Sequence, residues 1–217
     1  MNTYLNKRSV LVEYLVVAAV LVGTGFTPYK LIGVLAAIAY LIIERNLRKR
    51  SSDEIGSNIK NTPKALRENW LYILLVVFVT PLITIIIGKF FVPEYFTHIL
   101  ERVTPYVRLD SFDKVFVQLL ILALGEEIAF RAFLQGRLSL FINPRLAILL
   151  SSLVFAAVHF SAGGMVVVGL DLLSVFVDSI LFGIIFWRSN NVYASTIAHF
   201  LGNSFGLIAL IFISRGL

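Results

Sequence analysis

Long apolar runs separated by short polar ones make up most of the chain. They fall at about Val10 to Phe26, Tyr29 to Ile43, Trp70 to Phe91, Val115 to Leu134, Leu146 to Phe160, Val166 to Trp187 and Val192 to Ile213. A helix needs about 20 apolar residues to cross a bilayer core, so each run is a candidate span. The second and fifth are short, and they either extend into their flanks or do not cross fully. Pro81 has no N–H to give and should bend the third. The pattern predicts an all-α polytopic transmembrane bundle of about seven helices. Its core is expected in the four C-terminal spans, residues 115–217. Residues 1–114 add N-terminal helices, a basic loop and an external loop, all within one integral membrane domain.

Composition narrows this further. The chain of 217 residues is 58% hydrophobic and 15% charged, too apolar for an ordinary soluble domain. No hydrophilic stretch is long enough for a second globular unit. The absence of cysteine excludes a disulfide framework, a thiolate nucleophile and a Cys-ligated metal. A net charge of +6 would suggest nucleic acid in a soluble chain; here its placement reports topology, and no nucleic-acid partner is expected. Arg45, Arg48, Lys49, Arg50, Lys60, Lys64 and Arg67 form the densest basic stretch, which should face the cytoplasm. Counting alternate connections puts Lys7, Arg8, Arg137, Arg145 and Arg188 on the same side. Lys30, Lys89, Arg102, Arg108, Lys114 and Arg215 then fall on the other, with the N-terminus inside. The first apolar run is longer than the core of a signal peptide and reads as a retained span. Phe91 to Asp113 is the longest external connection, with room for a short interfacial helix, and its His98 is expected to be solvated.

One stretch breaks the apolar pattern where a break is expensive. Gly125-Glu126-Glu127-Ile128-Ala129-Phe130-Arg131 puts three ionisable residues inside the fourth run, and such groups within a span mark a functional site by default. On a helix Glu127 and Arg131 share a face, acid first, the favourable order for an ion pair. Glu126 projects about 100° away and is left free. Two of the three histidines lie in later runs: His159, four residues after Phe155, and His199, four residues before Asn203. At ~1.5 Å per residue, Glu126, His159 and His199 lie on the order of 14, 21 and 12 Å from the cytoplasmic ends of their helices. Side chains and tilt can bring them around one cavity, expected to open towards the cytoplasm. A carboxylate, two imidazoles and a carboxamide can bind a divalent metal, or activate water and stabilise an oxyanion; either combination hydrolyses an amide.

Glu126-Glu127-x-x-x-Arg131, Phe155-x-x-x-His159 and His199-x-x-x-Asn203, in this order, resemble the CAAX protease and bacteriocin-processing membrane peptidases, also called the Abi family. The likeness covers roughly Val115 to Leu207 and includes Gly183-Ile184-Ile185-Phe186-Trp187-Arg188 before Asn191. Two departures are Ser189-Asn190-Asn191, where the family usually has a Thr-Gly-Asn-like turn, and Asp178-Ser179, where a small apolar pair is commoner. The resemblance implies an intramembrane endopeptidase with Glu126 as general base and His159 holding the water. It further implies that His199 and Asn203 stabilise the oxyanion, and that Glu127 and Arg131 orient the helix bearing the base. Both a zinc-dependent and a metal-free glutamate mechanism are implied by the family, and zinc would take Glu126, His159 and His199 as ligands. Expected substrates are peptides or protein tails entering from the membrane: CAAX-type tails, or leader peptides and bacteriocins. The expected setting is a bacterial plasma membrane.

Several duller readings compete. A buried His or Asn in a membrane helix is often only a hydrogen-bond partner, and Glu127 with Arg131 can be a purely structural pair. Asp171 and Asp178 lie on one face of the sixth span; Asp178 could pair with Arg131, line the substrate path or face water, and is ranked as supporting. Gly202-Asn203-Ser204-Phe205-Gly206 fits a nucleophile elbow but lacks the strand-to-helix turn this requires; a Ser204 and His dyad stays a minor alternative. From other function classes, a non-catalytic scaffold or self-immunity protein is the runner-up and a proton-coupled transporter the third reading.

Overall fold

The computed structural model describes residues 7–107 and 111–214, and among them all regular structure is helical. Arg108, Asp110 and Arg215, and the side chains of Lys7 and Arg8, lie outside the described residues. In chain order the helices are α1 (Lys7–Gly25), α2 (Lys30–Asn46), α3 (Thr62–Glu68), α4 (Trp70–Phe91), α5 (Tyr95–Val103), α6 (Phe112–Glu127), α7 (Pro144–Ala157), α8 (Met165–Ser189) and α9 (Val192–Ser214). Helix α6 runs on through a π-helical stretch, Ile128–Gln135, into Gly136–Leu138.

Every apolar run read from the sequence is helical over most of its length, and the fifth leaves the helix after Ala157. Among the described residues α4, α8 and α9 are long and apolar enough to cross a membrane on those grounds alone. Helix α6 falls outside that group because Glu126, Glu127 and Arg131 interrupt it, and α7 because it ends at Ala157. The turn before Pro81, Leu75–Val79, widens to π geometry. The Val76 carbonyl there accepts the Thr80 hydroxyl at 3.3 Å. Gly202 of α9 packs on the same carbonyl, where an added β-carbon would sit 3.1 Å from the oxygen.

In lipid, transferring apolar side chains between helices gains little, so close packing and buried polar contacts hold a bundle together. The α1–α2 hairpin follows this rule. Tyr14 and Tyr40 pack on Phe133 of the π stretch at 5.4 and 5.1 Å between ring centroids. The Tyr14 hydroxyl donates to the Leu134 carbonyl at 3.2 Å.

The two ends of the bundle are built differently. At the basic end the loop after α2 folds back and docks. Glu44, fully buried, lies 3.0 Å from Arg137 and 3.5 Å from both Arg48 and Arg50, while Arg48 also pairs with Glu13. Arg137 donates to the Glu54 carbonyl at 3.1 Å. The Ser51 N–H, at 2.6 Å, holds the Glu54 carboxyl below the usual carboxylate range. Gly56, at φ +72°, lies against Phe186, and its carbonyl accepts the Val192 N–H at 2.8 Å. Asn191 donates to the Asn58 carbonyl at 2.8 Å, and Asn190 to that of Asp53. Asn190 sits where the family resemblance expected glycine; its φ of +44° explains why asparagine substitutes, since it tolerates the left-handed region.

At the far end α5 covers the start of α8. His98, expected to be solvated, is instead buried, with Nε2 3.3 Å from Asp171. Arg102 lies 3.0 Å from the same carboxylate oxygen. Asp171 is 73 residues away along the chain, so no local spacing pointed to it. Nearby, Lys30 donates to the Val158 carbonyl at 2.9 Å, tying the α1–α2 turn to the end of α7.

Candidate active site

Four helices meet around Glu126, which lies in the last turn of α6 before the chain widens to π geometry. π turns are frequent at functional sites because the extra residue re-aims side chains without breaking the helix. One carboxylate oxygen of Glu126 is 3.6 Å from Nε2 of His199 and the other is 3.8 Å from Nε2 of His159. His159 follows the end of α7, and His199 lies in the second turn of α9. Both imidazoles picked out by spacing therefore turn Nε2 towards the Glu126 carboxylate, one towards each oxygen.

Each imidazole has its other nitrogen occupied. His159 Nδ1 bonds the Phe155 carbonyl at 2.7 Å, which turns Nε2 towards Glu126. His199 Nδ1 donates to Glu127 at 3.0 Å. A nitrogen committed in this way fixes both ring orientation and tautomer. The ring of Phe155 lies 4.4 Å from that of His159, and Phe182 of α8 stacks on His199, also at 4.4 Å.

Glu127 and Arg131 form the expected ion pair, 3.2 Å apart, and both side chains are 0% exposed. Burying a charge is costly unless it is met on several sides. Arg131 also donates to Ser179 at 3.1 Å, and its guanidinium lies 5.0 and 5.8 Å from the ring centroids of Phe155 and Phe182. Asp178 does not pair with Arg131. It accepts the Thr80 hydroxyl at 2.5 Å, and its neighbour Ser179 takes the arginine. Adjacent helical residues point about 100° apart, so only one of the two can face α6.

Asn203, one turn beyond His199, is exposed and makes no side-chain hydrogen bond among the described residues. Ser204 is buried, and its hydroxyl has no hydrogen-bond partner among them. Ser179 and Phe182 were not read as site residues from the sequence. The polar pair Asp178-Ser179 in mid-span was the available signal for the first, and nothing local marked the second.

Exposure within the site is uneven. The side chains of Glu126 and His159 are 27% and 21% exposed, and His199 is 5%. Towards the basic end, Glu127, Arg131, Gln135 and Arg137 are all buried. A cavity of about 210 Å³ at that end is lined by Gln135, Arg137, Trp187 and Asn190 among others, and by none of the residues around Glu126. The part-exposed side chains lie near the α1–α2 turn, where Lys30 bonds the carbonyl of Val158 beside His159. At the basic end the loop packs against Glu44, Arg137 and the Asn190–Asn191 turn beside that cavity.

Among the described residues no three His, Asp or Glu side chains are arranged to hold a metal ion. In particular, Glu126, His159 and His199 as placed do not close on a common centre.

Residues 110–205 match the family model described as Rce1-like, type II CAAX prenyl endopeptidase Rce1-like. The match contains Glu126, His159, His199 and Asn203 and nearly coincides with the stretch that carried the resemblance, which it bears out. No curated protein and no solved structure matches the chain.

Proposed function

We propose that this Rce1-like membrane chain is an intramembrane endopeptidase that cuts membrane-associated peptides or protein tails with a glutamate-activated water. The observation carrying this reading is the convergence of both imidazole Nε2 atoms on the Glu126 carboxylate, at 3.6 and 3.8 Å. A water between Glu126 and His159 can donate one proton to each, since His159 Nε2 is left as an acceptor.

Glu126 takes a proton from this water as the oxygen attacks the scissile carbonyl carbon. The carbonyl π electrons move to oxygen. His199 lies between two carboxylates, and in its imidazolium form it offers an Nε2 proton to that oxyanion; the free Asn203 amide offers a second. Collapse of the tetrahedral intermediate breaks the C–N bond, and the proton held by Glu126 passes to the departing amine. Every step uses the chain's own groups, and the reading is metal-free.

Within this reading the substrates are CAAX-type tails or leader and bacteriocin peptides. The basic end lies in the cytoplasm of a bacterial cell by the charge rule. The test is Glu126→Gln in membranes. The variant should insert and elute as the parent does, while cleavage of a membrane-anchored reporter peptide falls at least about 10²-fold, the usual scale for losing a general base. Undiminished cleavage would reject the assignment, and a retained cellular phenotype without cleavage would favour a scaffold or immunity role.

A further inference from the structure

Hydrolysis inside a bilayer needs water in a place where hydrocarbon excludes it. On α8, Asp171, Ser174 and Asp178 fall at i, i+3 and i+7 and so share one face. Phe182, four residues further, is the ring stacked on His199. On α4, Thr80 bonds Asp178, and Thr84 one turn on donates to the Thr80 carbonyl at 2.9 Å. Helix α5 completes the set: the Tyr95 hydroxyl bonds Ser174, while His98 and Arg102 reach Asp171. Burial pushes the Tyr95 hydroxyl up to about 12, so it keeps its proton.

These groups form a continuous polar stripe from α5 down to the floor of the site. Side chains on apolar spans do not line up this way by composition alone. Asp171 Oδ1 is buried and has no hydrogen-bond partner among the described residues. A carboxylate oxygen left so is costly, and water is the group that commonly satisfies it. Towards the basic end Arg131, Gln135 and Arg137 are buried, and the cavity there touches none of the residues around Glu126.

We propose that the Asp171–Ser174–Asp178 stripe, with Thr80 and Thr84, is the water route to Glu126, opening at the end of the bundle that carries α5. The peptidase reading supplies only the reason for needing the water. The route itself can be tested without it.

The chain has no cysteine, so one introduced thiol is the sole target of a membrane-impermeant, charged methanethiosulfonate. Full-length Ser174→Cys and Thr84→Cys probe the stripe. Ser152→Cys and Ser195→Cys probe the packed region towards the basic end. Glu94→Cys and Lys60→Cys report which side of the vesicle is which. Labelling is followed in right-side-out and inverted vesicles, using protein that elutes as the parent does. The stripe thiols should react from the Glu94 side at least about tenfold faster than Ser152→Cys and Ser195→Cys, because reaction needs a hydrated thiolate. Silence at both stripe positions would make the stripe a dry hydrogen-bonded ladder and overturn the proposal. So would reaction of Ser152→Cys or Ser195→Cys from the Lys60 side. Labelling needs no turnover, so a labelled stripe in a chain that cleaves nothing would reject the peptidase and leave the route standing.

Discussion

His199 donates Nδ1–H to Glu127 at 3.0 Å, so the imidazole that faces Glu126 is held by a fully buried carboxylate. The second oxygen of Glu127 lies 3.2 Å from Arg131. In the proposed reaction Glu127 is then a positioning residue acting through His199. Removing such an outer partner commonly costs 10–100-fold in activity.

Glu127→Gln keeps the shape and removes the charge. It should lower kcat by roughly 10–100-fold with little change in KM, because the substrate contacts remain. Steady-state cleavage of a reporter peptide separates the two constants. A change confined to KM would show that Glu127 touches substrate after all.

Arg131 is the most exposed to error in this network, although it is the least exposed to solvent. Arg131→Met leaves Glu127 buried without its cation, a change on the order of 3–5 kcal/mol in comparable buried pairs. The variant should lose folded yield in detergent, and thermal melting measures the loss. Ser179→Ala removes one neutral partner of the guanidinium and should cost about 1–2 kcal/mol, with the fold retained. Equal losses from the two substitutions would refute the hierarchy.

This network was only partly legible in the sequence. The Glu127–Arg131 pair follows from four-residue spacing on one helix; Phe155 and His159 also pack together, although His159 lies in the turn past the end of α7. Contacts between helices do not follow from spacing. Choosing Ser179 over Asp178 as the arginine's partner depends on the rotation of α8 about its axis, which only packing against α6 sets. His98 was misread for a related reason: its carboxylate lies on α8, far along the chain. The docked basic loop was equally invisible, because a run of arginines reports a side of the membrane and says nothing of a loop folding back onto Glu44.

Metal dependence separates the two mechanisms that the family resemblance left open. In the glutamate-only scheme proposed above, cleavage should survive dialysis against a strong zinc chelator. Elemental analysis of the active preparation should find zinc well below one per chain. Loss of activity on chelation, restored by zinc, would replace the glutamate-only scheme with one in which the metal carries the water.

Phe182 offers a test of ring placement alone. It stacks on His199 and lies beside the Arg131 guanidinium, so Phe182→Leu keeps an apolar contact but removes both π faces. The aromatic contribution is about 0.5–1.5 kcal/mol. Melting should shift modestly, while kcat falls further than stability alone explains, because His199 gains freedom to turn. Phe182→Tyr, which keeps the ring, should restore most of the rate. A near-parental kcat in Phe182→Leu would mean that volume, not stacking, holds the imidazole.

The docked basic loop predicts the opposite pattern, with stability lost and chemistry kept. Gly56 combines a left-handed backbone with Phe186, which an added β-carbon would meet at 2.7 Å. Gly56→Ala must therefore shift the loop or the ring, at a cost on the order of 1–3 kcal/mol. Arg137→Ala leaves Glu44 buried with two more distant arginines, at 3.5 Å in place of 3.0 Å, and should cost more. Pairing it with Glu44→Gln should recover part of the loss, since a neutral side chain no longer needs the cation. In all three proteins the molecules that remain folded should cleave with near-parental kcat, because Gln135, Arg131 and the aromatic rings lie between the loop and Glu126. A kcat that falls in step with loop detachment would show that the basic end gates the site.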